Sequence, residues 1–200
     1  MPRTEIREDG KLFTAGVKAA VELAELRFES FVGDGVANKR FHGGPDRTVC
    51  VYPAAHYEWW KSAHGYELAF GAFSENLTVD GVREADICIG DVVRIGGALA
   101  QVTLPRDPCR TIDKITQIPS IHRLAQESGR CGFHMRTLKE GSIRVGDPFE
   151  VVERNTAGIS VAAVLDLYHG RSKDRALFEK LRAMPEFAEE GKREIALRLG

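Results

Sequence analysis

Between about Val17 and Arg154 the chain consists of short, apolar, β-branched runs, each broken within a few residues by glycine or Asp-Gly signals. The clearest runs are 48–52, 86–89, 92–95, 99–104 and 149–152. Val93 and Ile95 flank Arg94, and Leu99, Gln101 and Thr103 interleave with Ala100, Val102 and Leu104, as in half-buried strands. Gly90-Asp91 and Gly146-Asp147 each follow an apolar residue and read as turns that launch a strand, equivalent corners of one barrel. Many short strands with frequent turns favour a closed or nearly closed β-barrel over a parallel sheet, which needs long crossovers. Two stretches, 54–62 and 118–128, lack strand alternation and read as helical breaks, with Gly129 ending the second.

After Arg154 the period changes. Ser160 caps a helix whose Val161, Val164, Leu165 and Tyr168 share one face, with Gly170 as its stop. Ser172 is expected to cap a second helix carrying Leu177, Leu181 and Met184, which Pro185 ends. A third runs to the C-terminus with Ala188, Ile195 and Leu199 on one side. The expected layout is therefore mainly β: a barrel domain over residues 1–156 and a three-helix appendage over 157–200. An apolar helix face left exposed there would make a homodimer.

The composition, 43% hydrophobic and 28% charged with a net charge of −1, argues against a sequence-independent nucleic-acid binder, which needs a large basic excess. Charges on the terminal helices are nearly balanced, the pattern of solvated faces. No apolar run approaches the roughly 18 residues of a membrane span, and the start MPRTEIREDGK lacks a signal-peptide core, so a cytoplasmic location is expected. Cys50, Cys88, Cys109 and Cys131 are far apart, with no zinc or iron–sulfur spacing, and should be reduced thiols. There is no P-loop, dinucleotide fingerprint, H-E-x-x-H or G-x-S-x-G motif, and Gly33-Asp-Gly35 is a turn.

Three segments carry chemistry. In PRDPC, residues 105–109, two prolines stiffen the backbone around Cys109, while Arg106 and Arg110 supply charge that favours thiolate. Such a thiolate suits nucleophilic attack or ligation of a soft metal; a buried structural cysteine is the other reading, and the segment alone leaves both open. In KRFHGGPDR, residues 39–47, Gly43 and Gly44 permit close backbone approach, and Lys39, Arg40 and Arg47 make an anion-binding loop for a phosphorylated cofactor. His42 is a ligand, an acid–base group or a turn histidine. In GAFSEN, residues 71–76, Glu75 and Asn76 interrupt an apolar run and, if buried, need partners. Cys131 lacks a proline frame and reads as structural.

Taken in order, HGGPD at 42–46, VYP at 51–53, GAFSEN, IGD at 89–91, PRDPC and Gly146-Asp147 resemble the MOSC domain, related to the C-terminal part of molybdenum cofactor sulfurases, in its YiiM-like branch. The resemblance covers nearly the whole chain, including the three terminal helices. It implies a β-barrel that binds the molybdenum cofactor, a pterin bearing a dithiolene and a phosphate. By the same resemblance Cys109 is the molybdenum ligand and catalytic residue. Arg106, Arg40, His42, Gly43, Gly44, Asp46, Arg47, Glu75 and Asn76 line the cofactor. The implied activity is reduction of N-hydroxylated compounds such as hydroxylaminopurines, with electrons from a separate flavin or iron–sulfur reductase. A persulfide or cofactor carrier without turnover is the alternative. The chain departs from the family pattern at Arg110-Thr-Ile-Asp113, where relatives place an aromatic and Lys-Leu, and at Cys50-Val51, where they place two histidines.

Overall fold

The computed structural model describes residues 3–6, 12–15, 18, 20–34 and 43–199, with backbone alone for the first two stretches. Its centre is a six-stranded mixed sheet curled into a half-barrel. The strands are β4 (Val49–Pro53), β5 (Leu77–Val79), β6 (Val92–Ile95), β7 (Ala98–Pro105), β8 (Phe133–Lys139) and β10 (Phe149–Glu153). Their order is β10-β6-β7-β8-β4-β5, and only β4 and β5 run parallel. Two ribbons complete the β structure: β1 (Arg3–Ile6) with β2 (Leu12–Ala15), and β3 (Leu23–Leu26) with β9 (Gly141–Arg144). Among the described residues six α-helices follow in chain order: α1 (Ala54–His64), α2 (Arg110–Thr116), α3 (Ile121–Ser128), α4 (Val161–Tyr168), α5 (Arg175–Ala183) and α6 (Glu189–Leu199). Among the described residues no helix is long and apolar enough to cross a membrane.

The two expected Gly-Asp corners share one geometry. Asp91 Oδ2 accepts from Cys88 N and Asp147 Oδ2 accepts from Arg144 N, at 2.9 and 2.7 Å, while each Asp N–H returns to the same residue's carbonyl at 3.1 Å. The glycine before each Asp has φ near +90°, which a side chain would strain. This chemistry overturns the strand expected at 86–89: Asp86 closes a similar turn on Arg83, and only Cys88 makes a bridge, to Ser160. The second terminal helix is also capped differently. Asp174, not Ser172, accepts the Leu177 N–H, and Ser172 Oγ instead accepts from Asp174 N. Ser160 caps α4 as expected, through the N–H of Ala163, and Gly129 ends α3 in the left-handed region.

Alternation holds at the start of β7 and then stops. Ala98, Ala100, Val102 and Leu104 are buried throughout, and Thr103 is buried as well. The second face of the strand is covered because the terminal helices pack on it: Ala188 N donates to the Thr103 carbonyl, and α4 lies against β7. One apolar core therefore joins Val49, Val51, Val102, Leu104, Phe133 and Met135 of the sheet to Val164, Leu165, Leu181, Met184, Phe187 and Ile195 of the helices. Each fully buried aliphatic side chain contributes about 1.5–3 kcal/mol relative to exposure, so the helices and the half-barrel stabilise each other. A second, aromatic cluster of Tyr52, Tyr57, Trp60, Phe73, Ile112 and Ile121 seats α1 and α2 on the far side of β4.

Candidate functional site

Strand β7 delivers the thiol loop. Pro105 still pairs with Phe133 of β8, and Arg106 N donates to the Gly132 carbonyl, so the chain leaves the sheet only after Arg106. Cys109 then takes extended backbone as the N-cap of α2, half-buried, with its carbonyl accepting from Ile112 N. None of the four cysteines forms a disulfide. The other three are chemically muted. Burial pushes the Cys50 thiol up, although the Arg106 and Lys18 charges pull it back. Burial raises Cys131 further, with Glu84 adding to it, and its Sγ donates to the Ala125 carbonyl. Burial and Asp91 together raise Cys88.

Arg106 turns inward. Its side chain is buried, Nη1 donates to the Cys131 carbonyl at 3.3 Å, and Nη2 donates to the Phe73 carbonyl. The guanidinium thus clamps the thiol loop to the 70–76 loop and to the segment before β8. The planar fork serves the two carbonyls from two separate, rigidly spaced nitrogens, a span that the single nitrogen of a lysine does not reproduce. Ser74, next to the clamped Phe73, is held at φ 60°, a left-handed conformation uncommon for a non-glycine residue.

The neighbouring pair Glu75 and Asn76 is buried or half-buried, and both side chains are engaged. Glu75 Oε1 accepts from Tyr57 Oη, from Gly71 N at 2.9 Å and from Thr78 Oγ1 at 2.8 Å. Its Oε2 is equally inaccessible and, among the described residues, has no hydrogen-bond partner. Burial and the Glu75 charge hold the Tyr57 phenol far above its ordinary value, so it remains a donor. Asn76 imitates a strand residue: Oδ1 accepts from Cys50 N, its own N–H donates to the Cys50 carbonyl, and Nδ2 donates to Asp34 Oδ2 at 2.6 Å. Asp34 in turn pairs with Lys18 at 2.8 Å.

Gly43 and Gly44 lead into a single 3-10 turn, Pro45–Arg47, with Gly44 at φ 114° and nothing within 4 Å of where its Cβ would stand. Asp46 is tied down, its carboxylate on Arg136 at 3.0 Å and its carbonyl on Thr103 Oγ1 at 2.6 Å. Arg47 pairs with Glu190 of α6 at 2.8 Å. Arg40 and His42, expected in this loop, lie outside the described residues. The charges of Arg106, Lys18, Glu75 and Arg47 all act on the Cys50 thiol, so each of the three segments sends one charged residue toward Cys50.

Lys18, Asp34 and Tyr57 were not legible as members of this set; Asp34 sat in what reads as a plain turn. A separate cavity of about 520 Å³ is lined by His56, Trp59, Glu84, Arg130, Asp166 and Arg171, and by none of the expected site residues. Its buried His56 and Glu84 are satisfied by each other at 2.8 Å and by Gly132 N, and the Arg130 guanidinium lies over the Trp59 ring, 3.9 Å from its centroid.

A half-barrel whose longest strand leads into a proline-framed cysteine at a helix start, with a glycine-led turn and a buried Glu75 next to a half-buried Asn76, defines a family. Residues 38–150 match the MOSC domain, and the chain belongs to that family. It is 38% identical over 182 residues to the uncharacterized protein YflK of Bacillus subtilis, covering 90% of this chain and 82% of that one. Protein YiiM of Escherichia coli is 36% identical over 153 residues, 75% of this chain and 63% of YiiM. A protein of Gibberella moniliformis named reductase is 31% identical over 148 residues, 72% of this chain but only 26% of that protein. The crystal structure of YiiM from Geobacillus stearothermophilus superposes over 100% of this chain and 95% of its own, with a TM-score of 0.83 at 29% identity. That of E. coli YiiM covers 88% of this chain and 85% of its own, with a TM-score of 0.76 at 27% identity.

Proposed function

We propose that the protein binds a molybdenum cofactor through Cys109 and reduces N-hydroxylated small molecules, with electrons supplied by a separate flavin or iron–sulfur reductase. One observation carries this reading: Cys109 sits half-buried at the start of a helix, on a loop braced by the buried Arg106. Family membership and the reductase name of the fungal relative support it.

The donor set fits such a group. Among the described residues no three His, Cys, Asp or Glu side chains converge as a metal cage. A metal that arrives with its own dithiolene needs only one further soft ligand, which a thiolate provides. The buried, unpaired Oε2 of Glu75 is an acceptor that a pterin amino or ring N–H group would satisfy. Gly44 leaves room for close approach, and Arg40, His42, Gly43, Asp46 and Arg47 belong to the same loop. Arg106 acts from behind by holding the thiol loop, and Asn76 fixes the backbone of Cys50. When bound, the cofactor would supply two-electron reduction. The net reaction breaks the N–O bond, gives one proton to nitrogen and one to the departing oxygen, and releases water, with two electrons from the reductase.

The test is metal analysis and pterin fluorescence on protein from a cofactor-competent host, wild type beside Cys109→Ala, followed by assay with a hydroxylaminopurine and a reductant. Near-stoichiometric molybdenum lost in the variant, together with turnover, is expected. Folded protein without metal or pterin, carrying instead a stable extra sulfur on Cys109 by mass spectrometry, would replace this reading with the carrier.

A further inference from the structure

Helix α6 carries Glu190, Glu194 and Arg198 at intervals of four, so all three lie along one face. Glu190 pairs with Arg47 of the glycine loop at 2.8 Å. At the other end Arg198 pairs with Glu194 at 2.7 Å and reaches Asp107 of the thiol loop at 3.7 Å. Asp107 is met from two further elements. Gln126 of α3 donates to its Oδ1 at 2.7 Å and to the Pro108 carbonyl at 3.0 Å, and His169 at the end of α4 lies 3.9 Å from the same oxygen. Between the two contacts stands the buried Tyr168, whose phenol feels the charges of Arg47, Glu190, Glu194 and Asp107.

The helix approaches this closely because residue 191 is glycine. A Cβ there would come within 2.8 Å of Tyr168 Oη and collide with the Phe187 ring. Packing and charge thus agree on the position of α6. Isolated exposed ion pairs contribute little to stability. These, however, end on the two loops that carry the glycines and the thiol, and Arg47 and Arg198 are only 16% and 32% exposed, which weakens screening.

We infer that α6 is a positioning element of the site: Glu190 and Arg198 hold the 43–47 loop and the 105–109 loop at a set separation, through Arg47 and Asp107. Neither residue touches the reacting atoms. The inference rests on Cys109 being the reactive group, but its test needs no cofactor, so a failure to find molybdenum leaves it standing.

Hydrogen exchange by mass spectrometry on the full chain tests it, with Arg198→Ala, Arg198→Lys, Glu190→Gln and Gly191→Ala. Arg198→Ala should speed exchange several-fold in peptides covering 105–110, leave β6 unchanged, and be rescued by Arg198→Lys. Glu190→Gln should do the same at 43–48. Gly191→Ala, which keeps every charge, should loosen both loops; if it does not fold, the charge variants still decide. The rate of Cys109 alkylation by iodoacetamide should change in parallel. Unchanged exchange at both loops, or faster exchange spread evenly through the core strands, would overturn the inference.

Discussion

Replacing Arg106 by methionine removes the clamp and leaves a side chain of similar length. Two buried carbonyls, of Cys131 and Phe73, then lose their donors, and each unsatisfied group costs about 1–3 kcal/mol. The guanidinium also lies 5.9 Å from the Phe73 ring, near the limit of a cation–π contact, which adds about 0.5–2 kcal/mol. Against this stands the relief of no longer burying a charge, so the net loss should be about 3 kcal/mol. For a chain of this size about 2–4 °C accompanies each kcal/mol, which places the melting temperature about 6–12 °C lower. Arg106→Lys keeps the charge, but an ammonium cannot span both carbonyls, and roughly half the loss is expected. Urea unfolding with an unchanged m value, read beside thermal melts, measures both variants. A methionine variant within about 1 kcal/mol of wild type would refute the clamp. A lysine variant as stable as wild type that fails to bind pterin would show that the guanidinium serves the ligand instead.

Three further outcomes are expected. In the native protein iodoacetamide should modify Cys109 well before Cys50 or Cys131, read by peptide mapping, because the latter two are buried with raised thiols; comparable labelling of Cys131 would contradict the structure. Ser160→Ala removes the Oγ that accepts from Ala163 N, costing about 1 kcal/mol and about 2–4 °C in thermal melts. Burial pushes Asp113 up, but hydrogen bonds from the backbone and ring of His122 outweigh it and hold the carboxyl below its ordinary value. A depressed folded pKa stabilises above the unfolded value near 3.9 and loses that contribution as pH falls. The stability gap between wild type and Asp113→Asn, followed by urea unfolding from pH 6 to pH 3, should therefore close below about pH 4; a gap constant with pH would refute the pairing.

Strands 92–95, 99–104 and 149–152 were legible almost to the residue, because the turns that bound them are local chemistry, Gly-Asp before the first and third and Gly96-Gly97 before the second. The cap at Ser160 and the stop at Gly129 were readable for the same reason. Where two local signals competed, the nearer guess lost: Ser172 and Asp174 both suit a cap, and the carboxylate reached the Leu177 N–H. The run at 86–89 misled because its apolar residues face the core from turns rather than from a ladder. At the site, PRDPC announced a rigid thiol, but nothing in the spacing indicated that Arg106 points into the core.

The change from strand to helix period after Arg154 and the framing of Cys109 by prolines followed from the chain alone, since each depends on residues a few positions apart. Tertiary structure alone decided that Arg106 joins Phe73 to Cys131, that Glu75 keeps one unpaired oxygen, and that α6 reaches both Arg47 and Asp107. The reason is physical. A buried polar group must take whichever partners the packed core brings to it, and those partners lie far away in sequence, where no local propensity or spacing records them.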